Sequence, residues 1–225
     1  GLHCDPHGGN LAIRALPSRS YLSANPHNFE IILFDHGLYR FPTTETRRYY
    51  AKFWLALLDH DQEKVKMYAK RFANITDEQF PLFAAAITGR SIEAALNYDI
   101  SKPRSNQEIK EMASGMVKGT LFSDLMNILS RIPRIVLLIL KTNDLTRNLD
   151  ECLQNPLGPE RSFLIMTQYC ARTVYNEACE AINNQYKRWS LCWMWQELKA
   201  WLEYESRKNQ LLLYDIALWW KHKLI

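Results

Sequence analysis

The chain has 225 residues, a formal net charge of +4, and five cysteines at irregular spacing. An odd count of cysteines without regular spacing points to free thiols in a reducing setting rather than a disulfide framework, while the mild charge, with no basic run of nucleic-acid motif grammar, gives no support to a nucleic-acid binder. A hydrophobic fraction of 47% and a charged fraction of 23% describe a globular chain, long enough for one sizeable domain or for a lobe with an extension.

The first ten residues, Gly1-Leu-His-Cys-Asp-Pro-His-Gly-Gly-Asn10, are the most informative. Asp5 and Asn10 stand five positions apart, and His3 precedes the Asp by two. After 25 more positions, the apolar run Ile31 to Phe34 ends in Asp35-His36-Gly37. This pattern reads as the catalytic loop and metal-binding Asp of a kinase-type phosphoryl-transfer site. Such chemistry needs a carboxylate near the attacking nucleophile and oxygen ligands that hold magnesium against phosphates. Asp5 supplies the first; the side-chain oxygens of Asn10 and Asp35 supply the second. Leu11 to Arg14 and Phe29 to Phe34 are apolar segments separated by Pro17, Ser18, Ser20, Asn25, Pro26 and Asn28. Those turn residues predict a hairpin with a long loop, which brings Asn10 and Asp35 to one end. Gly37 permits the tight turn that follows. A zinc site built from His3, Cys4, Asp5 and His7 is the weaker reading, because His27, His36, His60 and His222 form no paired motif. Cys4 reads as a small buried filler rather than a nucleophile.

From Thr43 onward the pattern is helical. Thr43 or Thr44 caps the first helix, Glu45 sits in its first turn, and Tyr50, Trp54, Leu57 and Leu58 share a face. A second helix follows Asp61 and runs to about Phe72. Thr76-Asp-Glu-Gln79 is a capping box before Phe80 to Thr88, with Gly89 as the stop. Ser105-Asn-Gln-Glu108 is a second capping box, opening a helix that buries Ile109, Met112 and Met116. Gly115 and Gly119 read as close helix packing or a break. Pro133 suits a first helical position, and Ile135 to Leu140 is apolar on all sides, as in the middle of a helical lobe. Lys141-Thr-Asn-Asp144 then reads as a polar network between helices, or as a support for the magnesium loop or acceptor. Asn155-Pro-Leu-Gly-Pro159 marks a boundary. Beyond it lie six of the seven tryptophans, with stripes at Leu191, Trp195, Leu198 and Leu202 and at Leu212, Ile216, Trp219 and Trp220. Helix packing is the first reading of these stripes; a membrane interface, given Lys221 and Lys223, is the second.

His3-Cys-Asp-Pro-His-Gly-Gly-Asn10 resembles the His-x-Asp-Pro-His-x-Gly-Asn signature of the UbiB, or aarF-domain, atypical kinase-like family. Asp35-His36-Gly37 resembles its Asp-x-Gly step, with His36 where Phe is common and Gly8 where Pro is common. Ile132 to Arg147, with Leu140-Lys-Thr-Asn-Asp-Leu145 at its centre, is similar to the mitochondrial subgroup of fungi and animals. The resemblance spans about residues 1 to 155. It implies Asp5 as the catalytic-loop Asp, and Asn10 and Asp35 as magnesium ligands at an ATP site. The small-molecule kinases of the aminoglycoside and choline type carry a similar loop, but Lys141 to Asp144 favours the UbiB-like family. No long activation segment ending in Ala-Pro-Glu follows Gly37, so a small or lipid-like acceptor, or water, is expected in place of a protein.

These readings predict an α+β, predominantly α-helical fold: the C-lobe of a kinase-like protein with a small β-hairpin at its catalytic edge and the N-lobe absent. Residues 1–42 form the catalytic loop, hairpin and Asp-His-Gly segment, 43–154 the helical core, and 155–225 a Trp-rich helical extension. No glycine- or alanine-rich nucleotide loop and no strand Lys paired with a helical Glu is found, so the chain is expected to be the C-terminal part of a larger protein. Alone it should bind ATP poorly. The resemblance implies a mitochondrial, membrane-associated protein acting in lipid or coenzyme Q homeostasis. A non-catalytic scaffold or pseudokinase remnant binding lipid or protein partners is the rival.

Overall fold

The computed structural model describes residues 1–16, 28–96, 130–154 and 158–223. The predicted turn residues from Pro17 to Pro26, the capping box at Ser105 and the helix after it, the Gly115–Gly119 pair, and the start of the Asn155 boundary lie outside the described residues. The chain begins with two small antiparallel pairs. Strand β1 (Leu2–His3) pairs with β4 (Tyr39–Arg40), and β2 (Leu11–Ala15) with β3 (Phe29–Leu33). The register Leu11↔Leu33 to Ala15↔Phe29 gives the expected hairpin, one residue longer at Ala15 and one shorter at Phe34. The β1–β4 pair closes the segment on itself, carrying residue 3 back to residue 39.

Seven helices follow among the described residues: α1 (Thr44–Leu58), α2 (Gln62–Ala73), α3 (Phe80–Thr88), α4 (Ile92–Leu96), α5 (Arg134–Cys152), α6 (Gly158–Gln185) and α7 (Leu191–Lys223). The fold is thus predominantly helical with a minor β component, as the sequence predicts. Thr43, not Thr44, caps α1: its side-chain oxygen accepts from the Thr46 amide at 3.1 Å. Helix α2 closes on Asn74 in the left-handed region (φ 54°), which Asn tolerates. In the Thr76 box, the Gln79 side chain accepts the Thr76 amide at 3.1 Å, and one turn then leads into α3 at Phe80. Pro133 departs from expectation. It is the N-cap, with extended backbone (ψ 138°), and Arg134 is the first helical residue.

Gly89 ends α3 at φ +62°, and a Cβ there would overlap the Arg147 guanidinium. Both effects make this position a glycine. Gly89→Ala is expected to cost about 1–3 kcal/mol, the left-handed penalty plus the shift forced on Arg147, read as a lower urea midpoint with unchanged slope.

The core is aromatic and sits where α1 meets α2, α3 and α6. Phe53 is 0% exposed and makes edge-on contacts with Trp54, Phe72 and Phe83 at centroid separations of 5.5, 5.5 and 6.4 Å. Phe163 of α6 meets Trp54 edge-on at 5.8 Å, so the helix beyond the Pro-Gly boundary packs directly onto the first helix of the lobe. From α5 only Val136, Ile139 and Thr142 are fully buried. Its other apolar residues between 135 and 140 are half-buried, so this helix lies at the margin of the core rather than in its middle.

The packing expected for the two stripes on α7 is not what the structure has. Leu191 is 85% exposed and Trp195 66%, and the second stripe is exposed too. The opposite face does the packing. Leu211 is buried, Tyr204 stacks on Tyr175 at 4.8 Å, the Trp193 indole donates to Asn183 at 2.9 Å, and Arg207 pairs with Asp59. A sequence stripe shows that a helix has two faces but not which face finds a neighbour.

Candidate active site

The site is assembled by the two strand pairs. The Phe34 amide donates to the Asn10 carbonyl at 3.0 Å, extending the hairpin ladder by one step, so the backbone of residue 10 lies opposite residue 34, the neighbour of Asp35. The Cys4 amide donates to the Leu38 carbonyl at 3.0 Å, which fastens the start of the Asp5–Asn10 loop beside the Asp35–Gly37 turn. Cys4 itself is fully buried, in keeping with a filler.

His3 bridges the two segments. Its Nδ1 accepts from the Asp5 amide at 3.1 Å, so Nε2 carries the hydrogen and donates to the Asp35 carbonyl at 2.8 Å. One imidazole therefore fixes the backbone on both sides of the site. Tyr39 packs edge-on against His3 (5.0 Å) and parallel to His36 (5.8 Å), and the Tyr39 hydroxyl hydrogen-bonds His36 Nδ1 at 2.9 Å. His36 thus makes aromatic contact at a position where Phe is common in the family.

The loop from Asp5 to Asn10 is folded over its own side chains. The Asn10 amide donates to the His7 carbonyl at 2.9 Å, and His7 Nδ1 accepts from the Gly9 amide at 3.1 Å. That assignment leaves the His7 Nε2 hydrogen facing Asp5 Oδ2, 3.5 Å away. Asn10 spends its side-chain Nδ2 on the Asp5 carbonyl at 3.2 Å, which aims that amide group by its nitrogen and keeps Oδ1 as its acceptor atom. Asp35 Oδ1 accepts from the Gly37 amide at 2.7 Å, and a Cβ on residue 37 would stand 2.9 Å from that oxygen. An Asn carbonyl and a carboxylate are hard oxygen donors, which is the chemistry magnesium selects, with water and phosphate filling the rest of its shell. His3, Cys4, Asp5 and His7 do not converge as a zinc set, and no such cluster occurs among the described residues.

Asp5 has a partner from a distant helix. Lys141 of α5 places Nζ 2.9 Å from Asp5 Oδ1, across 136 positions of sequence. The Lys141 hydrogen bond, more than the charges of His7 and His3, holds the Asp5 carboxyl below its usual range. The Lys141-Thr-Asn-Asp144 segment therefore touches both the Asp5 loop and α1. Lys141 reaches the loop, while Asn143 exchanges hydrogen bonds with the Tyr50 hydroxyl at 3.1 and 3.2 Å. Loss of water contact pushes the Tyr50 phenol up to about 12, so it remains a neutral donor.

Asp5, an Asn five positions on, and Asp35 two residues past a facing strand, beside a predominantly helical unit, make the arrangement of a kinase-like C-lobe edge. Residues 1–69 match the ABC1 atypical kinase-like domain, and the chain belongs to that ABC1, or AarF-domain, family. It is 70% identical over 223 residues to the ABC1 family protein MCP2 of Saccharomyces cerevisiae, covering 98% of this chain and 39% of that one. It is 44% identical over 188 residues to the MCP2 homolog of Schizosaccharomyces pombe (84% and 33% covered). With AarF domain-containing protein kinase 1 of Xenopus laevis the identity is 32% over 219 residues (96% and 38%). The chain thus spans about two-fifths or less of the length of these relatives. No solved structure matches it.

Proposed function

We propose that this chain forms the catalytic edge of a longer atypical kinase that binds Mg-ATP and either hydrolyses it or passes its γ-phosphoryl group to a small or lipid-like acceptor. The hairpin supports the reading, since its ladder sets residue 10 opposite residue 34, next to Asp35. In this reading, Asn10 Oδ1 and the Asp35 carboxylate hold magnesium, which when bound neutralises charge on the phosphates. Asp5 orients the acceptor and takes its proton. His3 keeps the two segments in register. ATP lies between this lobe and an N-lobe of the kind the family resemblance implies. The family resemblance supports a mitochondrial setting and a link to lipid or coenzyme Q homeostasis as part of this reading. The test is magnesium-dependent ATP hydrolysis by a protein extended to the length of these relatives, with and without Asp35→Asn. If nucleotide never binds that protein, the rival reading, a helical scaffold or pseudokinase, takes its place.

One observation favours a membrane lipid surface as a partner. The outward face of α7 carries Leu191, Trp195, Leu198, Trp201, Leu202, Ile216, Trp219 and Trp220, all exposed, with Lys199 on one flank and Lys208, paired with Glu205 at 3.1 Å, on the other. Trp and basic residues along an apolar face suit a helix lying in the headgroup layer. No helix among the described residues is long and apolar enough to cross a membrane. The chain is expected to float with anionic vesicles, and Trp195→Glu with Leu198→Glu to reduce the floating fraction severalfold. Equal flotation of both proteins would retire the idea.

A further inference from the structure

We propose that Lys141 is the phosphate-facing cation of this site, supplied by helix α5 in place of a basic residue from the catalytic loop. The inference rests on the phosphoryl-transfer reading above.

The loop has a charge problem. Between Asp5 and Asn10 stand only Pro6, His7, Gly8 and Gly9, with no Lys or Arg. His7 is built into the loop, accepting the Gly9 amide and facing Asp5. A γ-phosphoryl group brought within reach of an acceptor on Asp5 adds negative charge beside a carboxylate. Like charges at such a distance repel unless a cation lies between them. Lys141 is placed to be that cation. Its ammonium sits 2.9 Å from Asp5 Oδ1, yet its side chain is 50% exposed, so it approaches the carboxylate from the open side. Lysine presents three rotatable donors on a flexible stem, and one donor on Asp5 leaves others for a phosphate oxygen.

The register of α5 supports the placement. Thr142, one position on, is buried, and Asn143 is fixed on the Tyr50 hydroxyl. The helix is thereby anchored against α1 on the side next to Lys141, and the lysine head is left to reach the loop. In the transfer step, the acceptor oxygen bonds to the γ-phosphorus as the bridging oxygen leaves with ADP. The acceptor's proton passes to Asp5. Lys141 donates to a γ-phosphate oxygen throughout and loses no proton.

The test compares two nucleotides, so that binding is read without turnover. In the protein extended to the length of its relatives, affinities for Mg-ADP and for the non-hydrolysable imido analogue of ATP are measured by calorimetry. Lys141→Met is expected to leave ADP binding within about twofold and to weaken the ATP analogue by roughly tenfold or more, the worth of one charge-assisted contact. Lys141→Arg should restore most of the difference. Equal weakening of both nucleotides would make Lys141 a brace for the loop. No weakening of either would make it a bystander. Both results overturn this assignment and leave the ATP-site reading standing. Failure of the unsubstituted protein to bind either nucleotide would remove both.

Discussion

Asp35→Asn, in a protein extended to the length of the chain's relatives, is expected to lower magnesium-dependent ATP hydrolysis about 100- to 1,000-fold while leaving the fold intact. The substitution is nearly isosteric. The Asn side-chain oxygen can still accept the Gly37 amide that Asp35 Oδ1 accepts at 2.7 Å, so the turn is retained. His3 reaches this segment through the residue 35 carbonyl, which the change does not touch. Only the negative charge goes, and with it one hard ligand for the cation. The check is a steady-state assay beside a thermal melt without nucleotide. A melt shifted by several degrees would mean that the carboxylate mainly holds the turn together. Unchanged hydrolysis would mean that Asp35 does not serve the metal.

Phe53→Ala is expected to cost about 3–5 kcal/mol, a large part of the total stability of an ordinary domain. Phe53 is fully buried and touches rings from α1, α2 and α3, so its removal leaves a void that three helices would have to move to fill. Helix α1 also carries Tyr50, whose hydroxyl anchors Asn143 two positions from Lys141. A loosened α1 should therefore disturb the loop as well as the core. Equilibrium urea unfolding of the chain measures the loss. A cost below about 1 kcal/mol would show that the aromatic cluster is not the centre of the fold.

The hairpin of the candidate site is legible in the sequence because its geometry is local. Asn10 and Asp35 stand at the ends of one hairpin, and alternating apolar segments with turn residues between them predict the pairing. His3 was legible only as part of a signature. Its bridging role depends on the two-residue pair with Tyr39–Arg40, too short to leave a period in the sequence. Lys141 appeared as one member of a polar segment, and nothing local selects Asp5 as its partner at a distance of 136 residues. The Pro133 departure has a similar origin. Proline's fixed φ and missing N–H suit the N-cap position as well as the first helical one, and the extended ψ chooses between them. On α7, hydrophobic period located two stripes but assigned them to packing. The face that packs mixes Trp193, Tyr204, Arg207 and Leu211, a set that hydrophobicity alone does not mark as buried.

A double-substitution cycle tests most directly whether two side chains share one ion. Manganese binding in the presence of the imido ATP analogue is followed by electron paramagnetic resonance for the extended protein, Asn10→Ala, Asp35→Ala and the pair. If both residues grip the same cation, each single change abolishes most of the binding and the combined change is little worse than either. Strong manganese binding that survives in either single variant, or losses that simply add, would show that residues 10 and 35 do not meet at a common metal.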